Sequence, residues 1–182
     1  MKYEFTGLTK SFYGVTVHQI KLISDGTIGG WIESEKNLDQ GGDCFVYDNA
    51  SVYGNAEVYG YASVSGDASV YGNAWVSGYA SVYGNASVYG NASVSDNARV
   101  YGYARVYGNA WVYDNARVYG NASVSDDAWV TDNARVYGDA VVHGNARVYG
   151  DAVVHGNAMV YDNTKVSGNE VITDWQYSII SL

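Results

Sequence analysis

Proline is absent from this chain of 182 residues, and cysteine occurs once, at Cys44. A single cysteine excludes an intrachain disulfide and fits a reducing compartment, so we expect a cytoplasmic protein. Leucine is scarce, and no apolar run approaches the ~20 residues that a transmembrane helix needs. The first residues, Met1–Phe5, include no apolar stretch and are expected to be folded protein rather than a signal peptide.

Basic residues are also few. Ten Lys and Arg stand against nineteen Asp and Glu, which gives a net charge of −9. Binding to DNA or to a membrane through a basic patch is therefore not expected, because both need a positive surface field. The acidic excess favours solubility, and an acidic surface that mimics nucleic acid or attracts a basic partner is the alternative.

What the sequence has in abundance is one six-residue phrase, Val-Tyr-Gly-Asn-Ala-X, in which Val recurs at every sixth position from Val46 to Val166. A fixed short period of this kind indicates a solenoid. One apolar residue in six does not fit a helix or an alternating strand; it fits a short strand, a turn and another short strand, with Val facing inward. Gly-Asn or Asp-Asn supplies the turns, because these residues tolerate a positive φ.

Three hexads would complete one triangular coil, and successive coils would stack as parallel strands. The repeat therefore predicts an all-β triangular solenoid of about seven coils over residues 45–171. Residues 1–44 lack the phrase, and we expect a small N-terminal β unit that caps the open strand edges. A separate binding module is the alternative. Residues 172–182 would cap the second end or pair with another chain.

The phrase Val-X-X-Asn-Ala-X resembles the hexapeptide repeat of left-handed parallel β-helix proteins over residues 46–171. The resemblance implies left-handed coiling, an exception among parallel crossovers. The opening Lys2–Gly7 and the segment Gly29–Glu33 are similar to bacterial and phage hexapeptide-repeat proteins that are often labelled polymer-forming or of unknown function. Relatives with this fold are commonly trimers packed side by side, and some are acyltransferases.

Residues 18 apart form outward columns, and two columns with binding chemistry run side by side on one face. The arginine column consists of Arg99, Arg117 and Arg135, and the tyrosine column of Tyr101, Tyr119 and Tyr137. Together they predict a site for phosphate or stacked bases, which would suit a small-ligand or nucleotide-binding protein. An internal explanation is the alternative, because an aspartate column at the preceding corner would neutralise arginines that stack on the tyrosines. The aspartate column consists of Asp96, Asp114 and Asp132.

The other two faces carry aromatic side chains. The tryptophan column consists of Trp75, Trp111 and Trp129, with Tyr113 beside it. Exposed Trp and Tyr are enriched in interface cores, so this face predicts a homo-oligomer, a dimer or trimer, or docking of a host protein. Surface aromatics without a partner are the alternative. The third face carries a ladder for which stacking is expected: Tyr53, Tyr71, Tyr89 and Tyr107.

Catalysis is not expected. The acyltransferases resemble one another in having an extruded loop and a catalytic His, whereas the register from Val46 to Val166 admits no insertion. His143 and His155 stand at Tyr positions on adjacent faces and, with His18, lack the spacing of a three-His zinc site. We therefore expect a structural or interaction protein without metal or cofactor, for which inhibition of a host protein by a phage is one form. A diverged acyltransferase is the enzymatic alternative.

Overall fold

The computed structural model describes residues 1–174 and is built almost entirely from β-strands. Three sheets of ten, eight and seven strands surround one core, and each turn of the repeat adds one strand to each sheet. Pairing between repeat strands is parallel and in register, as between Arg99 and Arg117. The predicted all-β parallel solenoid is confirmed, with about eight coils rather than about seven.

The strands of the repeat are short, mostly two residues long. The ten-stranded sheet contains β1 (Tyr3–Phe12), β2 (Val15–Leu22), β3 (Ile28–Ile32), Ser51–Val52, Ser69–Val70, Ser87–Val88, Arg105–Val106, Ser123–Val124, Val141–Val142 and Met159–Val160. The eight-stranded sheet contains Phe45–Val46, Ser63–Val64, Ser81–Gly84, Arg99–Gly102, Arg117–Val118, Arg135–Val136, Val153–Val154 and Val171–Ile172. The seven-stranded sheet contains Glu57–Val58, Trp75–Val76, Ser93–Val94, Trp111–Val112, Trp129–Val130, Arg147–Val148 and Lys165–Val166. A short 3₁₀ helix spans Glu35–Asn37.

The backbone turn at the third hexad position explains which residues the repeat uses there. The third position of each hexad, at every sixth residue from Asp48 to Gly168, has a φ between 55° and 76°, and only Gly and Asp occupy it. Because this left-handed backbone strains most side chains, the position is restricted to residues that adopt it readily. The turn allows Val and the following Ala to face the core together. The Val at every sixth position from Val46 to Val154 and the Ala at every sixth position from Ala50 to Ala158 are 0% exposed.

Backbone hydrogen bonds hold each coil on the next. The N–H of Tyr89 donates to the carbonyl of Val106 at 3.0 Å, and the N–H of Asn91 donates to the carbonyl of Gly108 at 2.7 Å. The same pattern recurs coil after coil. Outward residues 18 apart therefore stand directly above one another, at the 4.7–4.9 Å spacing of paired strands.

The N-terminal segment continues the solenoid without a break in pairing. β1 and β2 form an antiparallel hairpin, β2 pairs with β3, and Trp31 in β3 pairs in parallel with Ser51. Leu38 bridges Val58, so the first coil begins before the boundary expected at residue 44 and raises the number of coils to about eight. Left-handed winding and the capping role of the hairpin stay predictions.

The first coil differs from the others in length. Trp31 pairs with Ser51, twenty residues on, whereas Phe45 pairs with Ser63, eighteen residues on. Two extra residues therefore lie between Leu38 and Phe45, in a stretch that contains Gly41 and Gly42.

At the other end, Val171–Ile172 pairs with Val153–Val154. The rest of the predicted C-terminal cap or pairing segment, residues 175–182, lies outside the described residues. Within residues 1–174, no helix has the length and apolar character needed to cross a bilayer.

Candidate interaction surfaces

The tryptophan column lies on the outer surface of the seven-stranded sheet, where the register places its members. Ser93 pairs with Trp75 on one side and with Trp111 on the other, and Trp111 pairs with Trp129. The exposed fractions of the side chains are large for tryptophan, at 51% for Trp75, 49% for Trp111 and 37% for Trp129. The flat sheet thus exposes apolar area to solvent in three of its coils.

Two of these tryptophans form a cluster with Tyr113. The ring centroids of Trp111 and Trp129 lie 6.2 Å apart, and Tyr113 meets both edge-on, at 6.5 and 6.3 Å. The guanidinium carbon of Arg147 lies 4.6 Å from the centroid of Trp129, in a cation–π contact. We call Trp111, Tyr113 and Trp129 the tryptophan patch, since these contacts restrict the side chains and prearrange the surface.

Trp75 lies apart from the patch and lines an open cleft of about 660 Å³ at the N-terminal end of the same sheet. The cleft is bordered by the first coil, and this coil was not predicted from the hexad repeat. Its wall combines aromatic and acidic side chains, among them Trp75, Tyr59, Glu35, Asp39 and Glu57. The signal for this cleft was the hexad spacing of Ile32 and Leu38, followed by the wider step to Val46.

The tyrosine column is a continuous stack on the eight-stranded sheet. Successive ring centroids from Tyr83 through the column to His155 are 4.8, 4.8, 4.7 and 4.9 Å apart, with interplanar angles of 1–8°. Each ring inside the column covers the faces of its neighbours, so the column offers a ligand only ring edges and hydroxyl groups. A base therefore has no free ring face to stack on between the coils. Of the two predicted interactions with a nucleotide, base stacking and phosphate binding, this geometry leaves only phosphate binding.

The ladder on the ten-stranded sheet behaves in the same way, as predicted. Tyr53, Tyr71, Tyr89 and Tyr107 stack with centroids 4.9–5.1 Å apart and interplanar angles of 2–3°. Tyr53, at the N-terminal end, is only 8% exposed and lies 6.0 Å from the ring of Phe12 in β1. Burial raises the pKa of Tyr53 to about 12, with a smaller contribution from Tyr71.

The arginine column is exposed and unpaired. Within residues 1–174, the guanidinium groups of Arg99, Arg117 and Arg135 form no ion pair, hydrogen bond or cation–π contact. Burial raises the pKa of Tyr119, and the positive charges of Arg135 and Arg117 oppose that rise. In the described residues, no direct ion pair joins the arginine column to the aspartate column and no guanidinium group lies over a tyrosine ring, so no direct contact supports the internal explanation.

The aspartates at the preceding corner hydrogen bond along the stack instead. The N–H of Asp132 donates to Oδ2 of Asp114 at 3.3 Å, and the N–H of Gly150 donates to Oδ2 of Asp132 at 2.9 Å. The N–H of Asp114 lies 3.5 Å from Oδ2 of Asp96. Each carboxylate thus accepts a hydrogen bond from a backbone N–H of the next coil, and that N–H donates to no backbone carbonyl.

The histidines also contact neighbouring rings. His155 ends the tyrosine column, and His143 lies 5.7 Å from Tyr161, with its Nδ1 3.7 Å from Oδ2 of Asp126. His18 in β2 packs on Phe5 at 5.2 Å. In the part of the chain that the structure describes, no three His, Cys, Asp or Glu side chains are grouped so that they could hold a metal ion.

Comparison with family models supports the repeat. Residues 92–156 match the YdcK beta solenoid repeat in six segments that together cover this stretch without a gap. The segments are 92–108, 104–118, 110–126, 116–131, 130–144 and 144–156. No curated protein matches the chain. The matched stretch includes the arginine column, the aspartate column and the tryptophan patch, so all three stand on a β-solenoid scaffold.

Proposed function

We propose that this chain is a non-catalytic interaction scaffold that associates with protein through the tryptophan patch. The carrying observation is the cluster itself: two tryptophans, 49% and 37% exposed, are held against Tyr113 on a flat sheet. Large, rigid aromatic side chains contribute most of the energy in many interfaces. Trp75, two coils away on the same face, would extend the contact.

The scaffold favours such a surface for a physical reason. Association costs free energy for every side chain and loop that must be ordered. Here the backbone ladder fixes the sheet, and the edge-on contacts of Tyr113 restrict both indole rings before a partner arrives. The patch can therefore bind with little ordering cost.

The partner that we propose is a second copy of the chain, in a dimer or trimer within the cytoplasm. In a dimer, a flat face with few charges can pack against its own two-fold mate, because an isologous contact needs only a self-complementary surface; in a trimer the patch would pack against a different surface of the next copy. A host protein, in the manner of a phage-encoded inhibitor, is the other occupant that the same aromatic surface would suit.

The test is a Trp111→Ser variant, compared with Tyr103→Ser as the matched control. Tyr103 is 64% exposed but lies outside the patch. We expect the Trp111 variant to shift towards monomer in light scattering, while the Tyr103 variant keeps the mass of the unaltered chain. Equal masses for all three would contradict the proposal, and a loss of far-ultraviolet circular dichroism would identify misfolding.

A second candidate is a binding site for a small anion at the arginine column. The unpaired guanidinium groups and the adjacent hydroxyl edges favour it, since Arg and Tyr donate hydrogen bonds to oxyanions. Titration with inorganic phosphate and with a nucleoside triphosphate, on the unaltered chain and on Arg117→Ala, tests this site. Binding that disappears in the variant while the solution mass is unchanged would support it.

A further inference from the structure

Two columns of opposite charge run along the same three coils. The aspartate column lies at the corner between the seven-stranded and eight-stranded sheets, and the arginine column lies three residues further on, at the first outward position of the eight-stranded sheet. Each coil contributes one residue to each column: Asp96 with Arg99, Asp114 with Arg117, Asp132 with Arg135. The two columns are therefore parallel, equal in length and level with each other.

Neither column forms an ion pair within the described chain. The guanidinium groups have no ion pair or hydrogen bond, and the aspartates use Oδ2 for the next coil while Oδ1 accepts no hydrogen bond from residues 1–174. The register stacks like charges directly on one another at the strand spacing of about 4.8 Å. Like charges opposite each other in a sheet are destabilising, so a partner with opposite charges would relieve both columns.

The two adjacent columns favour a partner that carries both positive and negative charges. An anionic chain laid along the arginine column would run beside three carboxylates and would be repelled by them. A basic chain along the aspartate column would meet three guanidinium groups. A second copy of this protein presents the same two columns at the same spacing, so every charge can face its opposite.

We propose that two copies associate through these columns, with the arginine column of one facing the aspartate column of the other, coil for coil. A two-fold axis parallel to the solenoid axis reverses the left-to-right order of the columns and brings opposite charges together. A two-fold axis perpendicular to it preserves the order and brings like charges together. The two solenoids are therefore parallel, and the central pairs join Arg117 of each copy to Asp114 of the other.

The register of this contact is fixed by the length of the columns. Sliding one copy by a single coil leaves two pairs in place of three on each side, and Val153 or Ser81 then faces a carboxylate. The contact lies at the corner beside the tryptophan patch and does not require it, so the two surfaces are tested separately.

The experiment uses charge reversal with mixing. Arg117→Asp alone and Asp114→Arg alone each place like charges at the two central pairs, and we expect either change to raise the dissociation constant of this contact by more than about a hundredfold. When the two variants are mixed, both central pairs again join opposite charges. We therefore expect light scattering at low salt to show lower mass for each variant and recovery in the mixture. High salt should lower the mass of the unaltered chain.

Matched controls separate this contact from net charge and from strain. Arg105→Asp makes the same charge change on the ten-stranded sheet, and Asp126→Arg alters an aspartate with the same φ of 58° and a similar hydrogen bond to the next coil. Both should leave the mass unchanged. Unchanged mass in Arg117→Asp, or no recovery on mixing, would overturn the proposal. So would binding of inorganic polyphosphate that is lost in Arg117→Asp without a change in mass.

Discussion

A left-handed backbone at the third hexad position decides which residues the repeat can use there. Glycine adopts this backbone freely, and a Cβ added at Gly90 would lie 3.0 Å from the backbone N and O of Gly108 in the next coil. Aspartate is the other residue found, and its carboxylate provides a compensation, as when Oδ2 of Asp126 accepts the N–H of Gly144 at 3.1 Å. The left-handed backbone thus restricts this position to Gly and Asp, and each Asp adds a negative charge at a corner of the solenoid.

We therefore expect Gly90→Val to be far more destabilising than Gly90→Asp. A branched side chain in the left-handed region costs about 1–3 kcal/mol, and it brings no hydrogen bond in return. Unfolding in urea, monitored by circular dichroism, measures both changes in free energy. Equal losses for the two variants would contradict this account of the third position.

The inward valine is the other residue on which the repeat depends. Val106 is 0% exposed, so Val106→Asp would bury a carboxylate without a partner, and we expect the free energy of unfolding to fall by at least about 3 kcal/mol. Its exposed neighbour is the control: Arg105→Asp should change stability by less than about 0.5 kcal/mol in the same urea titration. A mild effect at Val106 would mean that the valine stack is not the core.

At the scale of the element, the aromatic ladders follow from the strand spacing. Rings 18 residues apart in sequence are set 4.7–5.1 Å apart because their strands are paired, and that distance suits parallel stacking of flat side chains. Stacking in turn buries the ring faces. Burial raises the pKa of Tyr71, Tyr83 and Tyr89, as it does for Tyr53.

These shifts predict a loss of stability at high pH. Tyr53 has an ordinary pKa of 10.0 and a folded-state pKa of about 12, so the folded chain keeps a proton that the unfolded chain loses. The stabilisation is complete below pH 10 and disappears as the pH rises towards 12. Urea unfolding across this range should show the decline. Tyr53→Phe keeps the ring and removes the ionisable group, so its decline should be smaller; an identical decline would contradict the burial of Tyr53.

The sequence predicted the regular elements well because each hexad position has one environment in every coil. The inward Val and Ala, the turn at the third position and the ladder of Tyr53 through Tyr107 all follow from the period. The first coil was missed because Ile32 and Leu38 replace valine and two extra residues precede Phe45. The lack of direct side-chain partners for the arginine column could not be predicted, since the period places a Cα atom and leaves the direction of a long side chain open.

At the scale of the whole molecule, the solenoid converts a one-dimensional repeat into three flat faces with different chemistry. The ten-stranded sheet carries a tyrosine ladder, the seven-stranded sheet the tryptophan patch, and the eight-stranded sheet the arginine and tyrosine columns. In residues 1–174, the hexad register from Val46 to Val166 contains no inserted loop. The molecule therefore displays extended surfaces, and extended surfaces suit recognition of another macromolecule.

The central claim is that these surfaces join copies of the chain. The most direct measurement is the solution mass of the unaltered protein by light scattering, at several concentrations and in low and high salt. The account predicts a mass above the 19.7 kDa of one chain that rises with concentration and falls with salt. A mass of 19.7 kDa at every concentration and every salt level would contradict it.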